Sequence, residues 1–345
     1  MNKLEGLQCK YPDPGGGEDI IWNGVEFIGK DKCFEVLRYP MPNQPSEWFD
    51  GELTDFLFSE RHPIDKASLK IAIKNCLDYA ASRLFHHQAG KRSDVICILE
   101  VGCSNGSMLR RLRKDLPVAE VCGADIISNT LQRLSRELKA EGIPTPIFQF
   151  DLTTCPFPDA SFNIVVLLNV LEHIKEHEMA VAEVFRILKP GGIFVFEVPA
   201  GPDLYDTFDR ELNHYRRYSK KEIEKILLMN GFVKMRLTYL GAIIYPVFYI
   251  IKRLRSRVFK ARIHEVFCLH PVNMQDSGGL QEDGFTLRPE PGEANKKLSK
   301  ISRILMKSSS SLLIDIIFNI ELWLGKLISW PFGIRCSGVF YKPQK

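Results

Sequence analysis

The sequence predicts an α/β fold in which a mostly parallel sheet carries helices on both faces. Three observations carry that prediction. Short apolar runs of strand length alternate with helix-period segments from about residue 93 to residue 239. Polar side chains stand at the ends of those runs: Glu100, Asp125, Asp151 and Asn169. Two glycines, Gly102 and Gly106, follow the first run immediately before a helical pattern. In open parallel sheets ligands bind outside the carboxyl ends of the strands, so these groups are expected to share one crevice.

The elements follow in order. Residues 1–60 are uneven, with Gly15, Gly16 and Gly17 after a Pro-rich start and the loop-like "YPMPNQPSEW". From Asp65, a plausible N-cap, Leu69, Ile73, Cys76, Leu77, Ala80 and Leu84 fall on one helical face. "VICILEV" (95–101) reads as a buried strand, and Met108, Leu109, Leu112 and Leu116 as the helix after it. "AEVCGAD" (119–125) is a strand. The helix from Ser128 to Lys139 ends at Gly142. "PIFQF" (146–150) and "NIVVLL" (163–168) are strands, and the helix at 177–188 is halted by "KPGG" before the strand "IFVFEV" (193–198). "SKKE" (219–222) is a capping box for a helix burying Ile223, Ile226 and Leu227, with Gly231 at its stop. "FVKMRLTY" (232–239) and "IRCSGVFYKP" (334–343) are further strands.

Composition sets the class. The chain has 345 residues, 45% hydrophobic and 26% charged, with a formal charge of +4. These are globular values, and the charge is too mild for a nucleic-acid-binding protein. The start has no secretory apolar core, and nine scattered cysteines form no CxxC pair. Reduced thiols and a cytoplasmic location are expected. The histidines lack paired ligand spacing, so no metal is expected.

The glycine loop narrows the ligand. No Lys follows Gly106 as a P-loop requires, and G-C-S-N-G is not the G-x-G-x-x-G of a dinucleotide site. The remaining candidate is S-adenosylmethionine. Missing Cβ atoms at 102 and 106 let backbone amides approach its methionine part. The helix N-terminus favours its carboxylate, and Glu100 attracts its ammonium. The bland alternative is a tight turn that only packs a helix on a strand. Asp125 can accept from both ribose hydroxyls, a device that NAD sites share.

The stretch "EVGCSNG" (100–106) resembles motif I of the class I S-adenosylmethionine-dependent methyltransferases, with Glu100, Gly102 and Gly106 matching and Ser104 in place of the usual central Gly. "QFDL" (149–152) resembles the family's adenine-binding position, which implies that Asp151 binds the adenine amino group and the Leu152 N–H a ring nitrogen. "PFPDASFNIVVLLNVLEHI" (156–174) resembles the fourth-strand region of a subset that includes the quinone O-methyltransferases, and implies that Asn169 approaches the methionine end. "RILKPGGIFVFEVP" (186–199) and "HYRRYSKKEIEKILLMNGF" (214–232) resemble the segments that follow. The resemblance implies a Rossmann-like, seven-stranded sheet with a helical insertion before the last strand.

Methyl transfer needs alignment of nucleophile, methyl and sulfur, and a base where the acceptor holds its proton. His173 is the first candidate base, with Glu172 to orient it, and His214 is the second, beside Tyr215, Arg216, Arg217 and Tyr218. Each has a structural alternative, as a backbone-bonded histidine or a solvated loop residue.

About ninety residues separate the strands at 232–239 and 334–343, far more than a short connection needs. "LGAIIYPVFYII" (240–251) is apolar but too short to span a bilayer, and Pro246 interrupts it. "KRLRSRVFKAR" (252–262) is strongly basic, residues 265–300 read as a loop, and 308–330 as an apolar helix. On the last, Asp315, Asn319 and Lys326 form a narrow polar stripe. Segments 240–262 and 311–330 are expected either to pack on each other or to rest on an anionic membrane surface.

Three regions follow: an N-terminal extension with a lid helix (1–90), a cofactor-binding core (91–239 with 334–345) and an insertion (240–333). The expected activity is methyl transfer from S-adenosylmethionine to a small-molecule, glycan or lipid-linked acceptor, at oxygen. The protein is expected in the cytoplasm, peripheral to the inner membrane face. An NAD(P)-dependent oxidoreductase and a non-catalytic, membrane-associated adaptor are the alternatives.

Overall fold

The computed structural model describes residues 63–86, 95–250, 252–253, 312–325 and 327–344, with short strand segments between 21 and 38. The loop expected at 265–300 and most of the basic run lie outside the described residues.

The sheet is built from the alternation in the sequence. Its strands are β3 (Gly29–Asp31), β4 (Val36–Arg38), β5 (Cys97–Val101), β6 (Glu120–Asp125), β7 (Ile147–Gln149), β8 (Phe162–Leu168), β9 (Leu188–Pro199), β10 (Val233–Leu240) and β11 (Arg335–Tyr341), and β1 (Ile21–Trp22) and β2 (Val25–Glu26) form a separate hairpin. The order is β10-β11-β9-β8-β5-β6-β7-β4-β3. Strands β5 to β9 are mutually parallel, and β11 runs antiparallel between β9 and β10. The seven expected strands are thus present in a Rossmann-like arrangement. The region read as irregular adds two more at the β7 edge, with β4 parallel to β7 and β3 antiparallel to β4. Three-residue strands carry too short a pattern to stand out in sequence.

Strand side chains alternate between two apolar layers, as a pleat requires. Leu99, Val165 and Phe194 face one layer with Val181 and Val184 of α4 (His177–Ile187) and Ile223 and Leu227 of α6 (Lys220–Met229). Ile98, Val166 and Val195 face the other, with Ile73 and Cys76 of α1 (Pro63–His86), Leu109 and Leu112 of α2 (Ser107–Asp115), and Leu131 and Leu134 of α3 (Ser128–Ala140). Each such side chain contributes about 1.5–3 kcal/mol on burial. The expected capping box closes α6, with Ser219 Oγ accepting from Glu222 N at 3.1 Å.

The insertion is docked through buried charge. Glu321 of α7 (Leu312–Leu324) is 1% exposed, and its carboxylate accepts from the N–H groups of Gly241 (2.7 Å), Ala242 (3.0 Å) and Ile243 (3.3 Å). It thereby caps the helical turns that begin at 242, where Pro246 sits in the first turns and is tolerated. The described part of the polar stripe of α7 borders α1 at the surface. Asp315 accepts from Lys66 Nζ at 3.2 Å and Asn319 from Lys70 Nζ at 3.1 Å, so the stripe faces α1. Cys76, Cys103, Cys122, Cys155 and Cys336 are free, buried thiols. Cys97 is disulfide-bonded, which corrects the expectation of wholly reduced cysteines.

Candidate functional site

The parallel strands β8, β5, β6 and β7 are adjacent, so their carboxyl ends form one row. Asn169, Gly102, Asp125 and Asp151 stand at the four ends. Glu100, Gly102, Ser104 and Asn169 line one pocket there. The first turns of α1 close it with Asp65 and Ser68, and β11 contributes Arg335.

Loop 102–106 is held by backbone geometry. Gly102 N and Cys103 N both donate to Ala124 O, at 2.8 and 3.0 Å. Gly102 and Gly106 have φ of +75° and +72°, and a Cβ at either would lie 2.4 Å from Val170 Cγ2 or Leu134 Cδ1. The glycines therefore serve close packing and a left-handed backbone at once. Ser104, expected to resist a positive φ, adopts one of +43°. Its N–H donates to Asp125 Oδ2 at 3.0 Å, and this bond offsets the cost of the conformation. Asn169 is likewise left-handed at +55°. Its N–H donates to Glu197 O at 2.8 Å.

Asp125 thus binds the loop, accepting also from Ile127 N at 3.1 Å, and burial still raises its pKa. Asp151 Oδ1 accepts from the N–H and hydroxyl of Thr153, both at 2.8 Å, and caps the 3-10 turn that starts at buried Leu152. Asp125 keeps acceptor capacity on its two oxygens and Asp151 keeps its Oδ2, so neither carboxylate is saturated. Glu100 differs. It is 5% exposed and its Oε2 has no partner. Burial, and next the charge of Asp125, raise its pKa well above the ordinary carboxylate range. A buried carboxylate oxygen without a donor, lining a pocket, fits the ammonium of an amino-acid ligand.

The two histidines, the candidate bases, come together. Their rings lie 4.7 Å apart at 79°. His173 ends the 3-10 turn Leu171–His173, and burial, with the neighbouring His214, pushes it down to about 3. His214 is oriented by Asp209, with Nδ1 3.1 Å from Oδ1. Asp209 lies in α5 (Thr207–Glu211) and is fully buried. It also accepts from Arg217 Nε at 2.8 Å and Lys252 Nζ at 2.8 Å. Against its burial, bonds from His214 and Arg217 hold its carboxyl well below the usual range. Lys252 also donates to Asp206 at 2.7 Å, so the insertion is anchored at this site.

A second cluster went unseen in the sequence. Arg335 NH1 donates to Glu197 Oε1 at 2.8 Å and to Ser68 Oγ at 3.1 Å, and NH2 to Asp65 Oδ1 at 2.5 Å. These residues lie on α1, β9 and β11. The one available signal was Glu197, an acid inside an apolar strand.

Comparison with known proteins finds methyltransferases similar to part of this chain. Residues 99–196 match a family model described as a methyltransferase domain. A demethylmenaquinone methyltransferase from Thermus thermophilus is 32% identical over 106 residues, covering 30% of this chain and 48% of that protein. A 27-O-demethylrifamycin SV methyltransferase from Amycolatopsis mediterranei is 30% identical over 165 residues, covering 45% of this chain and 58% of that protein. A Haemonchus contortus phosphoethanolamine N-methyltransferase solved with S-adenosyl-L-methionine is 18% identical, with a TM-score of 0.43 over 76% of this chain and 52% of that one. The chain spans about half the length of the curated relatives it matches. The match to a methyltransferase domain spans residues 99–196.

Proposed function

We propose that this chain transfers a methyl group from S-adenosylmethionine to an oxygen of a small-molecule, glycan or lipid-linked acceptor. The observation that carries the reading is the unpartnered Glu100 carboxylate oxygen, buried at the glycine loop in a row of four polar strand ends. In this reading Glu100 takes the cofactor's ammonium, and the backbone of Gly102 to Gly106 follows its amino-acid tail. Asp125 takes the ribose hydroxyls, Asp151 and the Leu152 N–H the adenine, and Asn169 lies against the methionine end. The cofactor supplies a methyl carbon already activated by a sulfonium. The protein excludes water and aligns the acceptor. His173 and His214 stand together at the acceptor end of the proposed cleft, where Asp209 fixes the ring of His214.

The acceptor range includes lipid-linked compounds because the insertion has an apolar outer face. Ile316, Ile320, Trp323 and Leu327 recur at helical spacing on and just after α7 and are 46%, 48%, 60% and 74% exposed. Val247 and Ile250 are exposed at 62% and 57%. Among the described residues no helix is long and apolar enough to cross a membrane. This stripe, together with Val247 and Ile250 and the basic run 252–262 that follows those two in sequence, supports peripheral contact with an anionic inner membrane face.

Labelled-methyl transfer into fractionated cell extract, with mass spectrometry of the product, tests the reading. Label on an oxygen of a membrane-fraction compound is the expected result. Label on nitrogen or carbon alone would overturn the choice of atom. Flotation with anionic vesicles tests the surface, and retention of flotation by Ile320→Ser/Trp323→Ser would count against it.

A further inference from the structure

Three side chains of metal-ligand type meet at the acceptor end of the cleft. Glu172 and His173 belong to the 3-10 turn just after the β8 tip, and His214 comes from the loop between α5 and α6. One donor atom from each lies within 4.8 Å of the others. Glu172 is 0% exposed, and neither of its carboxylate oxygens has a partner. A carboxylate so placed costs several kcal/mol unless something meets its charge. No described side chain donates a hydrogen bond to it, and Arg335 and Arg217 act on it only through charge, while its backbone carbonyl accepts from Tyr215 N at 2.7 Å. Behind His214, Asp209 holds Nδ1 and leaves Nε2 for the cluster. A carboxylate behind an imidazole is the arrangement that orients metal-ligating histidines.

We propose that Glu172, His173 and His214 bind one divalent cation of the zinc class, with its fourth position open to an oxygen of the acceptor. Two imidazoles and a carboxylate suit such an ion, whereas magnesium and calcium prefer all-oxygen sets. A tetrahedral ion at about 2.0 Å from each donor draws the donors to about 3.3 Å apart, a contraction that side-chain rotation supplies. The ion's role rests on the methyltransferase reading. Coordination acidifies the acceptor O–H, whose proton leaves to solvent. An oxygen electron pair then forms the C–O bond to the methyl carbon. The C–S bond breaks with its pair passing to sulfur, which becomes a neutral thioether.

The full-length chain, stripped by a chelator and dialysed, is titrated with Zn2+ by calorimetry and with Co2+ by visible absorption. One ion per chain is expected. Glu172→Gln and His214→Ala are each expected to weaken uptake at least tenfold. The same samples are titrated with S-adenosylhomocysteine, and unchanged affinity shows that the fold and cofactor pocket survive. No uptake by the unaltered chain, or equal uptake by both variants, overturns the site. A chain that takes up the ion but binds no S-adenosylhomocysteine overturns the ion's proposed role and the proposed function, and leaves the site standing.

Discussion

The two halves of the cleft are built by different means. The cofactor half rests on the backbone: two left-handed glycines, a left-handed Ser104 and N–H groups tied to Ala124 O and Asp125. The acceptor half rests on side chains brought from remote segments. Asp209 joins His214, Arg217 and Lys252 there. Backbone-built sites depend on local residue order, which a common cofactor keeps simple. Side-chain-built sites depend on tertiary closure and are free to differ with the acceptor.

Substitutions on each side should separate the halves, and the largest effect is expected on the acceptor side. Asp209→Asn leaves the buried Lys252 and Arg217 without their shared carboxylate, at a cost of about 3–5 kcal/mol. Methyl transfer should fall sharply while S-adenosylhomocysteine affinity holds, read by thermal melting and calorimetry on the same samples. Equal loss of both would merge the halves.

On the cofactor side, Gly102→Val forces a Cβ toward Val170 at a φ of +75°. It should destabilise by about 3 kcal/mol and abolish cofactor binding. Unaltered binding would show that the loop is not the cofactor's seat.

Glu100→Gln removes charge with little change in shape, and should weaken S-adenosylhomocysteine binding on the order of tenfold to a hundredfold. The sign of the pH dependence follows from its raised pKa. The carboxyl must lose its proton to attract an ammonium, so affinity should rise with pH through that pKa and binding should release a proton. Calorimetry in buffers of different ionisation enthalpy reads that proton, and Glu100→Gln should lose it.

Ser219→Ala lies outside both halves. It removes the α6 cap at about 1 kcal/mol and should leave cofactor affinity unchanged.

The same division explains what could be read before the structure. Strands β5 to β9 were legible because each apolar run exceeds the local noise and ends in Gly, Pro or a cap. Glu100, Gly102, Asp125, Asp151 and Asn169 were legible because a parallel sheet places strand ends together. His173 and His214 were visible as types, but their 4.7 Å approach was not, since no spacing rule joins a strand-end turn to a loop beyond the next strand. The partners of the α7 polar stripe were hidden for a related reason. Lys66 and Lys70 on α1 supply its partners, and only tertiary packing reveals them. Periodicity identifies two faces of a helix and is silent on which one meets protein.

The most direct test of the central claim is a calorimetric titration of the full-length chain with S-adenosylhomocysteine, repeated with NADH. The account predicts one S-adenosylhomocysteine per chain, bound more tightly at higher pH and more weakly by Glu100→Gln, with no NADH binding. NADH binding without S-adenosylhomocysteine binding would contradict it.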